Sequence, residues 1–375
     1  MDMKLEINPW GTEDVKDYEK LAKEFGIQPF SPLLKIMKEP HLLMRRGIVF
    51  GHRDFDKILG AIKKKESYAM MTGLMPSGRF HLGHKILAEQ IIYHQQVLGG
   101  KIFLCVADIE AYNMRMNDMN TLKKTAINEY LLNYIALGLK PKNCDFYFQS
   151  SRSKDPDQAN AFYRLAGMAS RKTTFNEMRA IYGEISPAKV MSVMIQVSDI
   201  LHPMLPEFGG YKHVVVPVGV DQDPHMRLTR DIAYRFSKNE YTFPSLPSST
   251  YHRFIKGLKG GKMSSSDPLS YIALTDDHKG IRNKIMKYAF SGGRETIAEH
   301  RKKGGIPEVD VSYQYLYSQF EPDDKNIQRI YEDYKSGSLL TGELKQILIE
   351  KLEKFLHDHQ RKRQKAKKQV DKFLK

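Results

Sequence analysis

The feature that most constrains this chain is the run MTGLMPSGRFHLGH at residues 71–84. An apolar, strand-like stretch at residues 68–71 leads into it. Gly73, Pro76, Ser77 and Gly78 then break any regular element. From about His81 the apolar residues recur at helical spacing, through Leu82, Ile86, Leu87 and Ile91. Strand, glycine-containing loop and helix start follow one another. That order aims backbone N–H groups and the positive end of a helix at one point, which suits a phosphate. Neither GxGxxG nor GxxxxGK(S/T) is present in the run, so the common dinucleotide and P-loop readings lack their residues. Instead His81 and His84 lie three apart and share a face of the first helical turn. Gly83 between them leaves room for a flat ring against the backbone. An isolated pair of this kind is most often a helix start with surface histidines and a packing glycine.

The pair is not isolated. Residues 260–266, GGKMSSS, form a glycine-hinged loop with one ammonium, Lys262, and three hydroxyls, Ser264, Ser265 and Ser266. A mobile lysine that closes on a triphosphate supplies charge where pyrophosphate leaves. HLGH followed by KMSSS on an α/β chain resembles the HIGH and KMSKS motifs of the class I aminoacyl-tRNA synthetases. The resemblance implies a Rossmann-like nucleotide-binding domain and a separate α-helical domain.

Lysine and arginine number 59 against 44 acids, a net charge of +15, which favours an anionic partner, polynucleotide first. Residues 361–375 hold eight bases and one acid. They are read either as a solvated helix end or as an RNA contact. Cys105 and Cys144 have no metal-ligand spacing and suit a reducing compartment. With no signal-peptide core and no run long enough to span a bilayer, a cytoplasmic location without membrane contact is expected.

Along the chain, residues 1–60 read as an appended module. It holds a short strand at residues 7–10, a helix at residues 14–25, and Trp10 in local packing. Residues 61–275 form the nucleotide-binding domain, with a helical insertion at about 115–190. The apolar run at residues 101–107 is a buried parallel strand. It ends near Asp108 and Glu110, and ligands gather at the carboxyl ends of such strands, so Glu110 is read either as the partner of an ammonium or as a solvated loop acid. The stretch at residues 190–201 is apolar with Gln196, Ser198 and Asp199 embedded, and a carboxylate there needs a partner. A second buried strand, residues 213–218, runs into Gly219, Asp221 and Gln222. Gly219 lets a ligand approach, and Asp221 or Gln222 can bond ribose hydroxyls. Residues 276–375 are helical by periodicity, with Leu344, Leu348, Leu352 and Leu356 on one face of a long terminal helix.

Longer stretches narrow the family. Residues 289–297, AFSGGRETI, residues 340–345, LTGELK, and residues 220–224, VDQDP, resemble the tryptophanyl-tRNA synthetases of the archaeal and eukaryotic kind. So do Asn8-Pro9-Trp10 and His52-Arg53-Asp54. The resemblance implies L-tryptophan, ATP with Mg2+, and tRNA(Trp) as substrates and partners, no metal site of the protein's own, and a homodimer built by the 115–190 segment. It places Ser77, His81, His84, Lys262, Ser264, Ser265 and Ser266 on phosphates, Gly83 and Met263 at adenine, and Gly219, Asp221 and Gln222 at the ribose. Residues 276–375 would hold the anticodon. The amino-acid pocket departs from the family's pattern: Met71 stands where it usually has Tyr, and Cys105 where it usually has Gln. Glu110 and Gln196 match its ammonium contacts, and Gly73 lies beside them. Asp199 resembles the aspartate that accepts the indole N–H in bacterial relatives, with Val216 and Val218 walling the ring. Only Met71, Val216 and Val218 are expected beside Asp199, all apolar, and an apolar slot with one acceptor suits indole better than phenol. A tyrosyl enzyme is the alternative, since archaeal tyrosyl enzymes carry a similar stretch around the aspartate. A non-catalytic RNA-binding relative would share the fold and the charge, but the intact His81, His84 and Lys262 argue for catalysis.

Overall fold

A computed structural model of the chain describes residues 18–115, 118–264 and 267–374. The strand expected at residues 7–10, Trp10, Ser265 and Ser266 lie outside the described residues, and the helix expected at 14–25 is described as Tyr18–Phe25.

Among the described residues seven strands build one sheet: β1 (Gln28–Pro29), β2 (Val49–Arg53), β3 (Ala69–Leu74), β4 (Lys101–Val106), β5 (Cys144–Phe148), β6 (Val214–Gly219) and β7 (Ser248–His252). Their order is β1-β2-β7-β6-β3-β4-β5. The five strands from β3 to β7 run parallel. Ranked by sequence, those five lie 3-2-1-4-5, so the strand order reverses between β3 and β6. An open α/β sheet binds its ligand outside the carboxyl ends of the strands at that reversal. The described part of residues 1–60 extends the same sheet, because β2 pairs antiparallel with β7 and β1 with β2.

Side chains alternate across the parallel strands and fill a layer on each face. Met70, Ile102, Leu104, Val106 and Val215 point to one apolar cluster. Ala69, Met71, Phe103, Cys105, Tyr147, Val214 and Val216 point to the other. Four helices position the site: α1 (Leu82–Gln96), α2 (Asp108–Arg115), α3 (Pro187–Leu201) and α4 (Asp223–Arg235). The second cluster includes Val193, Val197 and Ile200 of α3 and Phe162 and Leu165 of the helix Pro156–Ala169. The first cluster continues without a break into the helical C-terminal region, through Ile281 and Ile285 to Leu344, Leu348, Leu352 and Leu356 of α5 (Thr341–Ala366). Arg46 ties the N-terminal part to that region. Its guanidinium donates to Asp324 Oδ1 at 2.7 and 3.0 Å and lies 5.2 Å from the Tyr317 ring.

The helical run expected at residues 121–139 is one helix with a π-type turn, Ala126–Leu131, in its middle. That turn sets Tyr130 and Glu129 beside the loop before His81. Tyr130 Oη accepts the Ser77 N–H at 3.2 Å, and Glu129 Oε2 accepts the Phe80 N–H at 3.4 Å.

Candidate active site

The carboxyl ends of β3, β4 and β6 open into a cavity of about 960 Å³. It is lined by Met71, Gly73, Cys105, Glu110, Gln196, Asp199, Val216, Val218, Gly219, Asp221, Gln222, Lys262, Met263 and Ser264. The amino-acid and ribose candidates read from sequence therefore meet in one place. Ser77, His81, Gly83 and His84 are not among its walls.

The histidines form the start of α1. His81 is extended at φ −127° and caps the helix: its Nδ1 accepts the Gly83 N–H at 3.1 Å, while His84 Nδ1 accepts the His81 N–H at 3.2 Å. The two rings lie 3.8 Å apart at 31°. Burial pushes His81 down to about 4, and burial together with neighbouring His81 holds His84 well below the ordinary histidine range. Both imidazoles are therefore neutral. Since each Nδ1 is an acceptor, the network assigns each ring proton to Nε2, so both present Nε2–H donors. Gly83 is required here for a reason of its own. A Cβ would come within 2.9 Å of His81 Cε1 and 3.2 Å of Met263 Sδ, so the Met263 sulfur occupies the space expected for adenine.

The second loop stands beside them. The Lys262 ammonium lies 5.2 Å from the Phe254 ring centroid, and its charge opposes the rise that burial imposes on Asp221. Ser264 N–H donates to Ser270 Oγ at 3.0 Å. Gly219 has no space for a side chain, since a Cβ would meet Asp221 Oδ1 at 2.6 Å and the Phe254 ring at 3.0 Å. Asp223, one turn further, is buried and held by Arg53, Arg227 and Tyr251, which anchors the start of α4 to the N-terminal strands.

Asp199 corrects the sequence reading. Its partners are not only Met71, Val216 and Val218. Tyr147 Oη donates to Oδ1 at 2.7 Å, Gln149 Nε2 donates to Oδ2 at 2.6 Å, and the Cys105 thiol also reaches the carboxylate. Burial raises the Asp199 carboxyl to about 7 despite these donors. The expectation of an apolar slot with a single acceptor therefore fails, and polarity alone does not separate indole from phenol in this pocket. A frame behind it holds the donors in place. The Arg152 guanidinium lies 3.9 Å from the Tyr147 ring, donates to His202 Nε2 at 2.9 Å and bonds Asp145 at 2.8 Å. His202 Nδ1 then donates to the Asp199 carbonyl at 2.9 Å.

Glu110 stands in the first turn of α2 and is buried rather than a solvated loop acid. Its charge adds to the rise of the Tyr182 phenol. Tyr182 Oη in turn lies 2.6 Å from Nδ1 of His225, another cavity-lining residue. Tyr147, Gln149 and His225 carried no motif. The signal that could have found the first was parity along β5: Tyr147 is in register with Cys105, so the two share a face. Among the described residues no group of three His, Cys, Asp or Glu side chains gathers to hold a metal ion. No described helix is long and apolar enough to cross a membrane.

The profile of the tRNA synthetases class I (W and Y) matches residues 63–357. The chain is 49% identical over 374 residues to a tryptophan--tRNA ligase of Hyperthermus butylicus, covering 98% of this chain and 97% of that one. It is 48% identical over 365 residues to the tryptophan--tRNA ligase of Aeropyrum pernix, covering 96% and 95%. The crystal structure of the tryptophanyl-tRNA synthetase from Aeropyrum pernix K1 superposes with a TM-score of 0.90, covering 98% of both chains.

Proposed function

The chain belongs to the tryptophan and tyrosine branch of the class I tRNA synthetases, and from that premise we propose that its cavity activates L-tryptophan with ATP and passes the aminoacyl group to tRNA(Trp). The observation that carries the substrate is the near-full-length identity to tryptophan--tRNA ligases. Tyrosine gives way on the same ground.

The tryptophan carboxylate attacks the α-phosphate in line, pyrophosphate leaves, and the terminal ribose hydroxyl of the tRNA then takes the aminoacyl group. Such chemistry asks the protein for position and charge rather than covalent work. The Nε2–H groups of His81 and His84 meet phosphate oxygens as charge moves toward the leaving group. Lys262 swings from Phe254 onto the β- and γ-phosphates, on a loop hinged at Gly260, whose φ is +87°. Met263 leaves Gly83 as adenine enters. Asp221 and Gln222 take the ribose. Glu110 and Gln196 take the α-ammonium, and Asp199 accepts the indole N–H. Mg2+ arrives as the counter-ion of ATP. The helical C-terminal region holds the anticodon. A homodimer forms through the 115–190 segment, a role supported by exposed Phe175 in it and Met191 beside it. The enzyme works in the cytoplasm.

ATP–pyrophosphate exchange, run with tryptophan and tyrosine side by side, tests the reading. Exchange with tryptophan alone is expected. Exchange with tyrosine alone moves the assignment to the other branch, and exchange with neither leaves a non-catalytic RNA-binding protein.

A further inference from the structure

We propose that Gln149 is a positioning residue that couples recognition of the substrate's side chain to recognition of its ammonium, because one amide spans the Asp199 carboxylate and the helix turn that carries Glu110. The inference rests on the reading of the cavity as a tryptophan site. Glu110 and Asp199 belong to different helices, α2 and α3, and Gln149 touches both. Its Nε2 lies 2.6 Å from Asp199 Oδ2, and its Oε1 accepts the Glu110 N–H at 3.3 Å.

The amide cannot turn over. Reversed, it would set an oxygen against a carboxylate and an NH2 against an N–H, leaving both buried partners unpaired. The residue cannot slide either. Its backbone N–H donates to the Val106 carbonyl at 3.1 Å, and its own carbonyl accepts Tyr163 Oη at 2.6 Å. Gln149 is 1% exposed and lines the cavity, so its amide meets solvent chemistry only through what binds there. A movement of Asp199 toward an indole N–H pulls on the amide, which pulls on the turn that aims Glu110. The sequence between Gln149 and either partner has no local link: the contact exists because β5 lies beside β4 and under α3.

The groups facing Asp199 are the Cys105 thiol from β4, the Tyr147 hydroxyl and Gln149 amide from the β5 edge, and the Arg152 guanidinium behind Tyr147; His202, just past the end of α3, is held neutral by burial. Gln149 is the largest of the influences that hold the Asp199 carboxyl down against burial. Removing it and making it acidic therefore have opposite consequences with pH. In Gln149→Met the carboxyl rises further, so more of it is charged as pH increases and tryptophan binding improves. In Gln149→Glu the pair must keep one proton to imitate the amide, since two carboxylates this close repel. Tryptophan binding then worsens as pH increases.

The experiment is pyrophosphate exchange by the full chain and the two variants across neutral pH, with KM measured for tryptophan and for ATP. Inhibition by indole-3-propionate, which lacks the ammonium, is measured alongside. Gln149→Met is expected to raise KM for tryptophan about 10- to 100-fold, the span for a lost hydrogen bond to a charged group. KM for ATP stays unchanged, and the preference for tryptophan over indole-3-propionate narrows. The two variants show opposite pH slopes in tryptophan KM. If KM rises but the preference holds, side-chain and ammonium recognition are independent and the coupling is refuted. If KM for tryptophan and ATP rise together, or the pH slopes agree, Gln149 only holds the fold and the proposal fails. If the parent chain shows no tryptophan-dependent exchange, the function reading fails first, a result separate from any variant.

Discussion

Asn in place of Asp199 should make the unliganded protein more stable and the enzyme worse. Burial lifts this carboxyl from 3.8 to about 7. A tenfold change in how tightly a proton is held is worth about 1.36 kcal/mol, so the charged form costs the folded state up to about 4 kcal/mol. The direction is the reverse of the usual acid. Between the two values the folded chain holds a proton that the unfolded chain has released, so stability is lost as pH rises through about 7. Asp199→Asn escapes that penalty because an amide carries no charge. It must still present its oxygen to Gln149 and its NH2 to Tyr147, whose hydroxyl turns to accept; that rearrangement costs about 1–3 kcal/mol. A net gain of about 1–3 kcal/mol is expected near pH 8.5, shrinking by about 2–3 kcal/mol near pH 5, where Asp199 is already largely protonated. Urea unfolding midpoints of parent and variant at the two pH values read the difference directly. The same variant should raise KM for tryptophan, since the only oxygen left is committed to Gln149. A stability change identical at both pH values would refute the reasoning, because it would mean that the buried carboxyl carries no raised pKa.

The other sites give sharper kinetic signatures. Lys262→Ala should slow adenylate formation by about 10²-fold or more and leave tryptophan affinity unchanged, as for a contact made only in the transition state; single-turnover rates with tryptophan titration check it. Glu110→Gln should raise KM for tryptophan, since a carboxylate on an ammonium acts in the ground state too. Equal binding of tryptamine by parent and variant would remove Glu110 from that role. Arg363 of α5 bonds Glu129 Oε1 at 3.3 Å, and Glu129 holds the Phe80 N–H just before His81. Arg363→Met should therefore raise KM for ATP a few-fold while tryptophan binding measured without ATP is unaffected, a difference that calorimetry resolves.

What could be read from the chain alone was local. The strand, loop and helix around residues 71–84 follow from the steric preferences of Pro76 and Gly78 and from apolar spacing, and they stand as β3 and α1; Gly73 does not break the strand as expected, because β3 runs on through it to Leu74, with Gly73 paired to Cys105. The continuous apolar runs marked β4 and β6 as buried strands, the first of them parallel, because a strand with no polar alternation has no side to give to water. Cavity residues at strand ends, from Met71 to Gln222, were legible for the same reason. The tertiary structure decided which groups meet. Asp199 and its donors Tyr147 and Gln149 are separated by some fifty positions of chain, and their contact depends on β5 lying in register beside β4 beneath α3. The neutral state of His81 and His84, and the side of each ring that carries the proton, depend on burial and on two backbone N–H groups that only the folded helix start brings together. Dihedral preferences and apolar periodicity act over a few residues and leave their mark in the sequence. Strand register and desolvation belong to the whole packed chain, and they set the partners and the charge of each polar group in the cavity.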